Sequence, residues 1–174
     1  MGYTHYWYAK AKRKLPNWEQ FTDKVNRIVG NDGAGVLPSA LQKAEVTDVL
    51  VWIEGNPPNE SFVFERVPEN KPWRENEPWV FNYCKTARKP YDKYVTAILI
   101  AALDQWGPHG IFGNINRVRP ELKVRSDGEI HEWEGGIKHY IDVFYCQPNH
   151  NGQTIEQWQK KIEQMLEKSF NKDD

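Results

Sequence analysis

The sequence predicts an α+β fold in which a mostly antiparallel, twisted sheet is covered by about three helices within a single domain. The length of 174 residues suits one domain and is sufficient for a well-packed core. Segments with strand-like composition and segments with helical periodicity follow the order β-α-β-β-β-α-β-β-β-β-α. Because the strands are grouped instead of alternating with helices, this order is typical of α+β domains.

The first predicted strand covers residues 1–8, which are rich in aromatic and β-branched side chains. Alternation separates these side chains into two sets, with Tyr3, His5 and Trp7 on one face and Thr4, Tyr6 and Tyr8 on the other. Both sets are bulky, so we predict a central strand that is covered on both faces.

Three segments are predicted to be helices. Apolar residues recur at helical spacing in the first segment, and the second is apolar on most of its circumference, which is typical of a buried helix. The third opens with a capping box from Thr154 to Gln157. The predicted ranges are 16–30, 90–106 and 154–170.

The remaining segments are predicted to be strands and the turns between them. Residues 55–59 have turn-forming side chains, and the proline-rich residues 68–78 are expected to be an exposed loop. Residues 126–128 are predicted to be a hairpin turn, because Asp-Gly supports the positive φ angles that tight hairpins need. The predicted strands cover 46–53, 61–67, 79–84, 110–118, 122–125, 129–133 and 140–146.

Charge and hydropathy exclude several classes of protein. Lys and Arg total 23 against 24 Asp and Glu, a net charge of −1, which argues against a protein dedicated to duplex DNA. We expect no membrane partner and no secretion, since there is no apolar run near ~20 residues and no signal-like start. Cys84 and Cys146 are too far apart in sequence for a CxxC motif, so free thiols and a cytoplasmic location are expected.

Aromatic residues are abundant for a chain whose mean hydropathy is −0.78. There are eight Trp, eight Tyr and seven Phe. Large rings can supply most of a core in a polar chain, and they can also stack on nucleobases. Composition leaves both uses open.

Two motifs carry a resemblance to other proteins. The chain begins with MGYTHYW, and residues 81–92 read FNYCKTARKPYD around the start of the second predicted helix. Together they resemble uncharacterised phage and bacterial proteins that begin with MGYTHYW and contain an FNxCKTxRKPYD-like segment. The resemblance implies a phage or mobile-element setting and a role in phage–host conflict, but it implies no catalytic residue.

The second motif places cations at the predicted start of a helix. Three cations and a hydroxyl precede Pro90, namely Lys85, Thr86, Arg88 and Lys89. Free backbone N–H groups and the helix dipole favour a phosphate or carboxylate there, with Arg88 as the anchor because its guanidinium donates two parallel hydrogen bonds. Alternatively, the segment is a solvated turn whose cations pair with nearby acids, and Asp92 satisfies the helix dipole.

Other residues could complete such a site. Stacking and hydrogen bonding to a base would come from Tyr3, His5, Trp7, Asn82, Tyr83 and Tyr91. Lys123 and Arg125 share a strand face by alternation and would join the same electropositive pocket. The alternatives are that the rings belong to the core and that Lys123 and Arg125 are ordinary surface charges.

The inventory for catalysis or metal binding is sparse. None of the five histidines belongs to an HExxH motif, and no GxSxG motif is present. By residue type, the best metal ligands are His131, Glu132, Glu134, His139 and Asp142. Strand alternation would point His131 and Glu132 to opposite faces, so we expect no metal and no other cofactor. Cys84 adjoins Lys85 and is near Arg88, which could lower its thiol pKa, although a small buried residue is the simpler interpretation.

We therefore expect a protein that binds, without chemistry, a small phosphorylated ligand resembling a nucleotide. In a phage setting it would be a sponge for a host signalling nucleotide. The expected binding residues are Tyr3, His5, Trp7, Asn82, Lys85, Thr86, Arg88, Lys89, Tyr91, Lys123 and Arg125. Two other functions stay open: a phosphoesterase or nuclease with His5 or His131 as base and Arg88 as stabiliser, and a protein-interaction module. A homodimer is the default oligomer.

Overall fold

The computed structural model describes residues 3–30, 36–112, 120–145 and 152–171. These residues form an α+β fold, as predicted, with the strands divided between two three-stranded antiparallel sheets and with four α-helices. The strands are β1 (Thr4–Lys10), β2 (Leu41–Val46), β3 (Leu50–Gly55), β4 (Phe62–Glu65), β5 (Trp79–Lys85) and β6 (Leu122–Ser126). The helices are α1 (Trp18–Ile28), α2 (Asp92–Trp106), α3 (Glu134–Phe144) and α4 (Ile155–Phe170), with short 3-10 helices at Pro72–Arg74 and Ile130–Trp133.

β1 is the central strand of the first sheet, whose order is β5-β1-β6, and it is antiparallel to both neighbours. Tyr3, His5 and Trp7 are buried on one face of this sheet. The opposite face carries Tyr6 and Tyr8, which are only partly buried. The prediction that this strand is covered on both faces is therefore wrong. The second sheet has the order β2-β3-β4.

α2 belongs to a continuous hydrophobic core. Every residue from 94 to 103 is buried, which confirms the prediction of a buried helix. Trp106 at its end stacks on Trp18 of α1 with 6.0 Å between ring centroids. Trp7 of β1 lies 5.0 Å from Phe62 of the second sheet. Since each ring buries roughly 150–250 Å² of surface, these contacts hold the two sheets and the helices together.

The three predicted helices are present as α1, α2 and α4. The capping box of α4 is formed, because the Gln157 N–H donates to the Thr154 hydroxyl at 3.2 Å and the Thr154 N–H donates to Gln157 Oε1 at 2.8 Å. β4 buries Phe62 and Phe64 on one face, and residues 68–78 are largely exposed, both as predicted. No helix among the described residues is long and apolar enough to cross a membrane.

The segment predicted as one strand over residues 46–53 is part of a hairpin between β2 and β3. The Thr47 hydroxyl accepts hydrogen bonds from the N–H groups of Val49 and Leu50, at 3.3 and 3.1 Å, and so fixes the turn. β2 has the mostly polar sequence LQKAEV. Because an exposed, polar strand lacks a clear hydrophobic pattern, the sequence did not indicate it.

The predicted strands over 129–133 and 140–146 are wrong, because the described residues form a short 3-10 helix and then α3. The buried side chains Trp133, Ile137, Tyr140 and Ile141 recur at helical spacing. Gly136 lets α3 pack close to α2, since a Cβ at this position would lie 2.0 Å from Thr96 Oγ1. The adjacent glycines concealed the helical period in the sequence.

The predicted hairpin turn at residues 126–128 is also wrong. The Asp127 N–H donates to the Thr4 carbonyl at 2.9 Å, and the Gly128 N–H donates to the Ser126 hydroxyl at 3.1 Å. These bonds direct the chain from β6 into the 3-10 helix. Gly128 serves close packing instead of a hairpin, because an added Cβ would lie 2.3 Å from the Tyr3 ring.

Two predictions fall partly outside the described residues. The predicted strand over 110–118 is not found over 110–112, and residues 113–119 are not described. Cys84 is a free thiol, as predicted. Cys146 lies outside the described residues.

Gly136→Ala is expected to lower the free energy of unfolding by about 1–3 kcal/mol, because the new methyl group overlaps Thr96 where α3 meets α2. The matched control is Gly135→Ala in the same helix, where the nearest atom, Lys93 Cβ, is 3.5 Å away. Urea unfolding measures both variants. The control should be neutral or slightly stabilised, since alanine favours helix, and equal losses in the two variants would contradict this packing.

Candidate functional site

Most aromatic side chains that were predicted to bind ligand lie in the core. Tyr3, Trp7 and Tyr91 are buried, and the Tyr91 hydroxyl donates to the Glu60 carbonyl at 2.7 Å. Burial raises the pKa of both tyrosines. Asn82, on the edge strand β5, is half-buried, so solvent can satisfy its amide. These rings contribute to packing and leave no face for a ligand.

His5 and Thr86 are fully buried in a polar cluster around Asp92 at the start of α2. His5 Nε2 lies 2.7 Å from Asp92 Oδ1, and His5 Nδ1 lies 3.0 Å from Ser126 Oγ. The Thr86 hydroxyl donates to the same Asp92 oxygen at 2.5 Å. Both ring nitrogens of His5 are thus engaged, which disfavours it as the base of a phosphoesterase. Sequence reasoning missed the contacts of Asp92 and Ser126 with His5, because they join segments distant along the chain.

Arg88, the predicted anion anchor, is engaged by an acid. Its Nε and Nη2 donate to Glu132 Oε1 at 3.0 and 2.6 Å, and its guanidinium lies 4.3 Å from the Tyr3 ring centroid. The hydrogen bonds raise the pKa of Arg88 and lower that of Glu132. Lys85 is exposed and Lys89 is half-buried. For Arg88, the structure therefore agrees with the alternative interpretation of residues 85–89, in which the cations of a turn pair with nearby acids.

Cys84 is buried beside polar groups that disfavour its thiolate. Burial, together with the carboxylates of Glu60 and Asp92, raises the pKa of its thiol to about 12. The possibility that Lys85 and Arg88 lower this pKa is therefore wrong. Because only the thiolate is a strong nucleophile, Cys84 is a small buried residue and not a reactive one.

Four of the five residues considered as metal ligands, all except Asp142, have other partners. His131 Nδ1 lies 3.3 Å from Glu129 Oε2, and His139 Nε2 lies 2.7 Å from the Ile28 carbonyl oxygen. Glu132 pairs with Arg88, so this carboxylate is also engaged and is not a free metal ligand. Within the described ranges, no three His, Cys, Asp or Glu side chains are grouped closely enough to hold an ion.

A second aromatic face lies on the outside of the first sheet. The sequence places Tyr6 and Tyr8 together on this face of β1 and names Tyr83 as a stacking residue, but it did not indicate that they form one surface with Trp79 and Phe81. We call its five rings the aromatic platform: Tyr6, Tyr8, Trp79, Phe81 and Tyr83. Antiparallel pairing sets Tyr6 opposite Tyr83 and Tyr8 opposite Phe81. The Phe81 ring centroid lies 5.7 Å from that of Tyr6 and 5.2 Å from that of Tyr8. The Tyr83 ring centroid lies 5.9 Å from that of Phe81, and Tyr83 is 57% exposed. The rings of Tyr6, Tyr8, Phe81 and Tyr83 thus form one connected and partly open surface, and Trp79 lies on the same face of β5, two residues before Phe81.

Two of the predicted cations stand on the same face. Lys123 and Arg125 lie opposite Tyr8 and Tyr6 across the β1–β6 pair. Lys123 Nζ is 5.2 Å from the Trp79 ring centroid. Arg125 Nε is buried and has no hydrogen-bond partner among the described residues. The structure therefore combines these cations with the platform and not with Arg88.

A groove of about 410 Å³ lies along the platform and these cations. Its lining residues are Tyr8, Arg74, Glu77, Pro78, Trp79, Phe81, Lys123 and Arg125. Arg74 and Glu77 form an exposed ion pair at 3.7 Å, and such a surface pair contributes little to stability. Lys123 and Arg125 take part in no ion pair within the described part of the chain. The groove is therefore aromatic on its floor and positive in charge.

Known proteins offer no guide to this groove. No family model matches the chain, and neither does any curated protein or solved structure. A functional assignment therefore has to come from the chemistry of the groove itself.

Asp92→Ala is expected to lower the free energy of unfolding by about 3 kcal/mol, because it removes the acceptor that the fully buried His5 and Thr86 share. The matched control is Asp142→Ala, which removes an exposed carboxylate on α3 and should change stability by less than about 0.5 kcal/mol. Chemical denaturation measures both. Unchanged stability in the Asp92 variant would contradict the structural role assigned to this cluster.

Proposed function

We propose that the protein binds a small, phosphorylated, nucleotide-like ligand in the groove along the aromatic platform, and that it holds this ligand without converting it. The observation that carries the proposal is the combination of packed rings with two cations, Lys123 and Arg125, in one groove. The ligand class is the one expected from the sequence. Its proposed place is the outer face of the first sheet instead of residues 85–89.

The rings of the platform support the binding of a base. Phe81 lies at the centre of the platform and is held by ring contacts on several sides. A planar ligand would therefore meet a broad apolar surface that is already ordered, so binding costs little side-chain entropy. Stacking of a base on an aromatic side chain is worth about 1–3 kcal/mol and tolerates any base.

The cations support the binding of a phosphate. Arg125 lines the groove and forms no ion pair with another described residue, so its guanidinium is available to donate hydrogen bonds to a phosphate oxygen. Lys123 adds a second positive charge on the same face. In a chain whose net charge is −1, a local cluster of cations favours an anion of limited size.

The lining of the groove supports binding more than catalysis. Among the described residues that line it, the single carboxylate is Glu77, which pairs with Arg74. His5, the base considered for a phosphoesterase, is buried on the other face of the sheet. We therefore propose sequestration as the role of binding. In the phage setting that the motif resemblance suggests, the ligand would be a host signalling nucleotide.

Phe81→Ala should weaken the binding of nucleoside monophosphates roughly 5- to 150-fold, which corresponds to the loss of one stacking ring. The matched control is Phe112→Ala, which removes an exposed phenylalanine that packs on Trp158 and does not line the groove. Isothermal titration with the four monophosphates, their nucleosides and inorganic phosphate separates the contributions of base and phosphate.

Monophosphates should bind more tightly than either nucleosides or phosphate, and they should be recovered intact after long incubation. The proposal is wrong if no monophosphate binds, or if the Phe81 and Phe112 variants bind equally well. In that case the exposed rings of the platform would favour the remaining function, a module that binds a protein partner. Breakdown of the ligand would replace sequestration with the phosphoesterase alternative.

A further inference from the structure

We infer that the ligand is a single-stranded oligonucleotide with at least two bases, and that a cation pocket at the end of α4 holds part of its backbone. This inference rests on the proposed function and extends it from one nucleotide to a strand. It is drawn from three cavities that lie side by side across the first sheet, each of which shares residues with the next.

The first cavity, about 240 Å³, lies between Trp73 and the edge of the platform at Tyr83. It shares Arg74 and Phe81 with the central groove. Trp73 is 75% exposed, and Lys71 Nζ lies 5.5 Å from its ring centroid. This cavity therefore offers a second stacking position with a cation beside it.

The third cavity, about 280 Å³, lies beyond the central groove and shares Lys123 and Arg125 with it. Lys168 of α4 also lines this cavity, and the described lining contains no carboxylate. None of the three cations forms an ion pair with another described residue. Three cations without an acid suit a phosphate group and not a base.

Lys168 is held beside the sheet by its neighbour Ser169. The Ser169 hydroxyl donates to the Val124 carbonyl at 2.8 Å and accepts from the Val124 N–H at 3.2 Å. Val124 lies between Lys123 and Arg125 in β6, so these bonds fix the last turn of α4 against the strand that carries both cations. The fold therefore fixes the backbone positions from which the three cations extend into the pocket.

A single nucleotide would occupy only part of this surface. It has one base, whereas the surface has two stacking positions and cations at both ends. The strands of a sheet are about 4.8 Å apart, so β5 and β6 are about 10 Å apart, and the outer cavities extend further on both sides. A chain of two or more nucleotides spans this distance. A duplex does not suit the platform, because its bases are paired and stacked and cannot lie on the rings.

The test is a competition titration, followed by fluorescence anisotropy, with thymidylate and uridylate chains of one to eight nucleotides, so that DNA and RNA are distinguished. Affinity should rise about tenfold or more between one and three nucleotides and then level off. The affinity should also fall as the salt concentration rises. A plot of the logarithm of the binding constant against the logarithm of the salt concentration should have a slope of about −0.7 for each phosphate contacted. Lys168→Ala should weaken oligonucleotide binding about tenfold and monophosphate binding clearly less, because Lys168 lines the third cavity and not the central groove.

The matched control is Lys160→Ala, an exposed lysine on the same helix, which should change neither affinity. The inference is overturned, and the proposed function stands, if a monophosphate binds as tightly as the longer chains or if the two lysine variants behave alike. Equal affinity for single-stranded and duplex forms would also overturn it. If neither monophosphates nor oligonucleotides bind, both proposals fall.

Discussion

The hydrogen-bonded position of β1 between β5 and β6 is the constraint on which the rest of the structure depends. Because both edges of β1 are paired, alternate side chains must face the core and the outside. His5 and Trp7 face inward, where His5 contacts Asp92 and Trp7 packs against the core rings. Tyr6 and Tyr8 face outward, and the paired residues of β5 extend them into the aromatic platform. One strand thus supplies both the buried polar cluster and the floor of the groove.

The same constraint brings positive charge to the rings. Leu122 and Val124 of β6 are buried, so Lys123 and Arg125 must stand on the outer face beside β1. Ser169 ties the end of α4 to the edge of β6. The protein is neutral overall, with a net charge of −1, but it is positive along one groove. Local concentration of cations, and not total charge, is what a small anionic ligand responds to.

The elements that sequence reasoning could predict are those with a strong local pattern. α1, α2 and α4 are long and periodic, and β4 shows clear alternation. β2 is polar, and α3 begins with the adjacent glycines Gly135 and Gly136, so the periods on which prediction depends are weak in both. The proposed ligand is not affected by these errors, because neither element contributes to the groove.

The site was harder to predict than the fold, for a physical reason. Both alternating sets of β1 are aromatic, and hydrophobicity alone does not tell which set faces the core. That choice depends on the pairing with β5 and β6, which are distant in sequence. The sequence prediction placed the ligand beside Tyr3, His5 and Trp7, which is the core face. Lys123 and Arg125 were placed on a common face because their strand alternates charged and apolar residues.

The two faces of β1 allow the most direct test of where a nucleotide binds. Aromatic ring resonances can be followed by carbon-13 NMR while a nucleoside monophosphate is added. We expect the resonances of Tyr6, Tyr8, Phe81 and Tyr83 to shift, and those of Tyr3, Trp7 and Tyr91 to stay in place. Shifts confined to Tyr3, whose ring contacts Arg88, and to Tyr91, which directly precedes α2, would contradict the assignment of the groove.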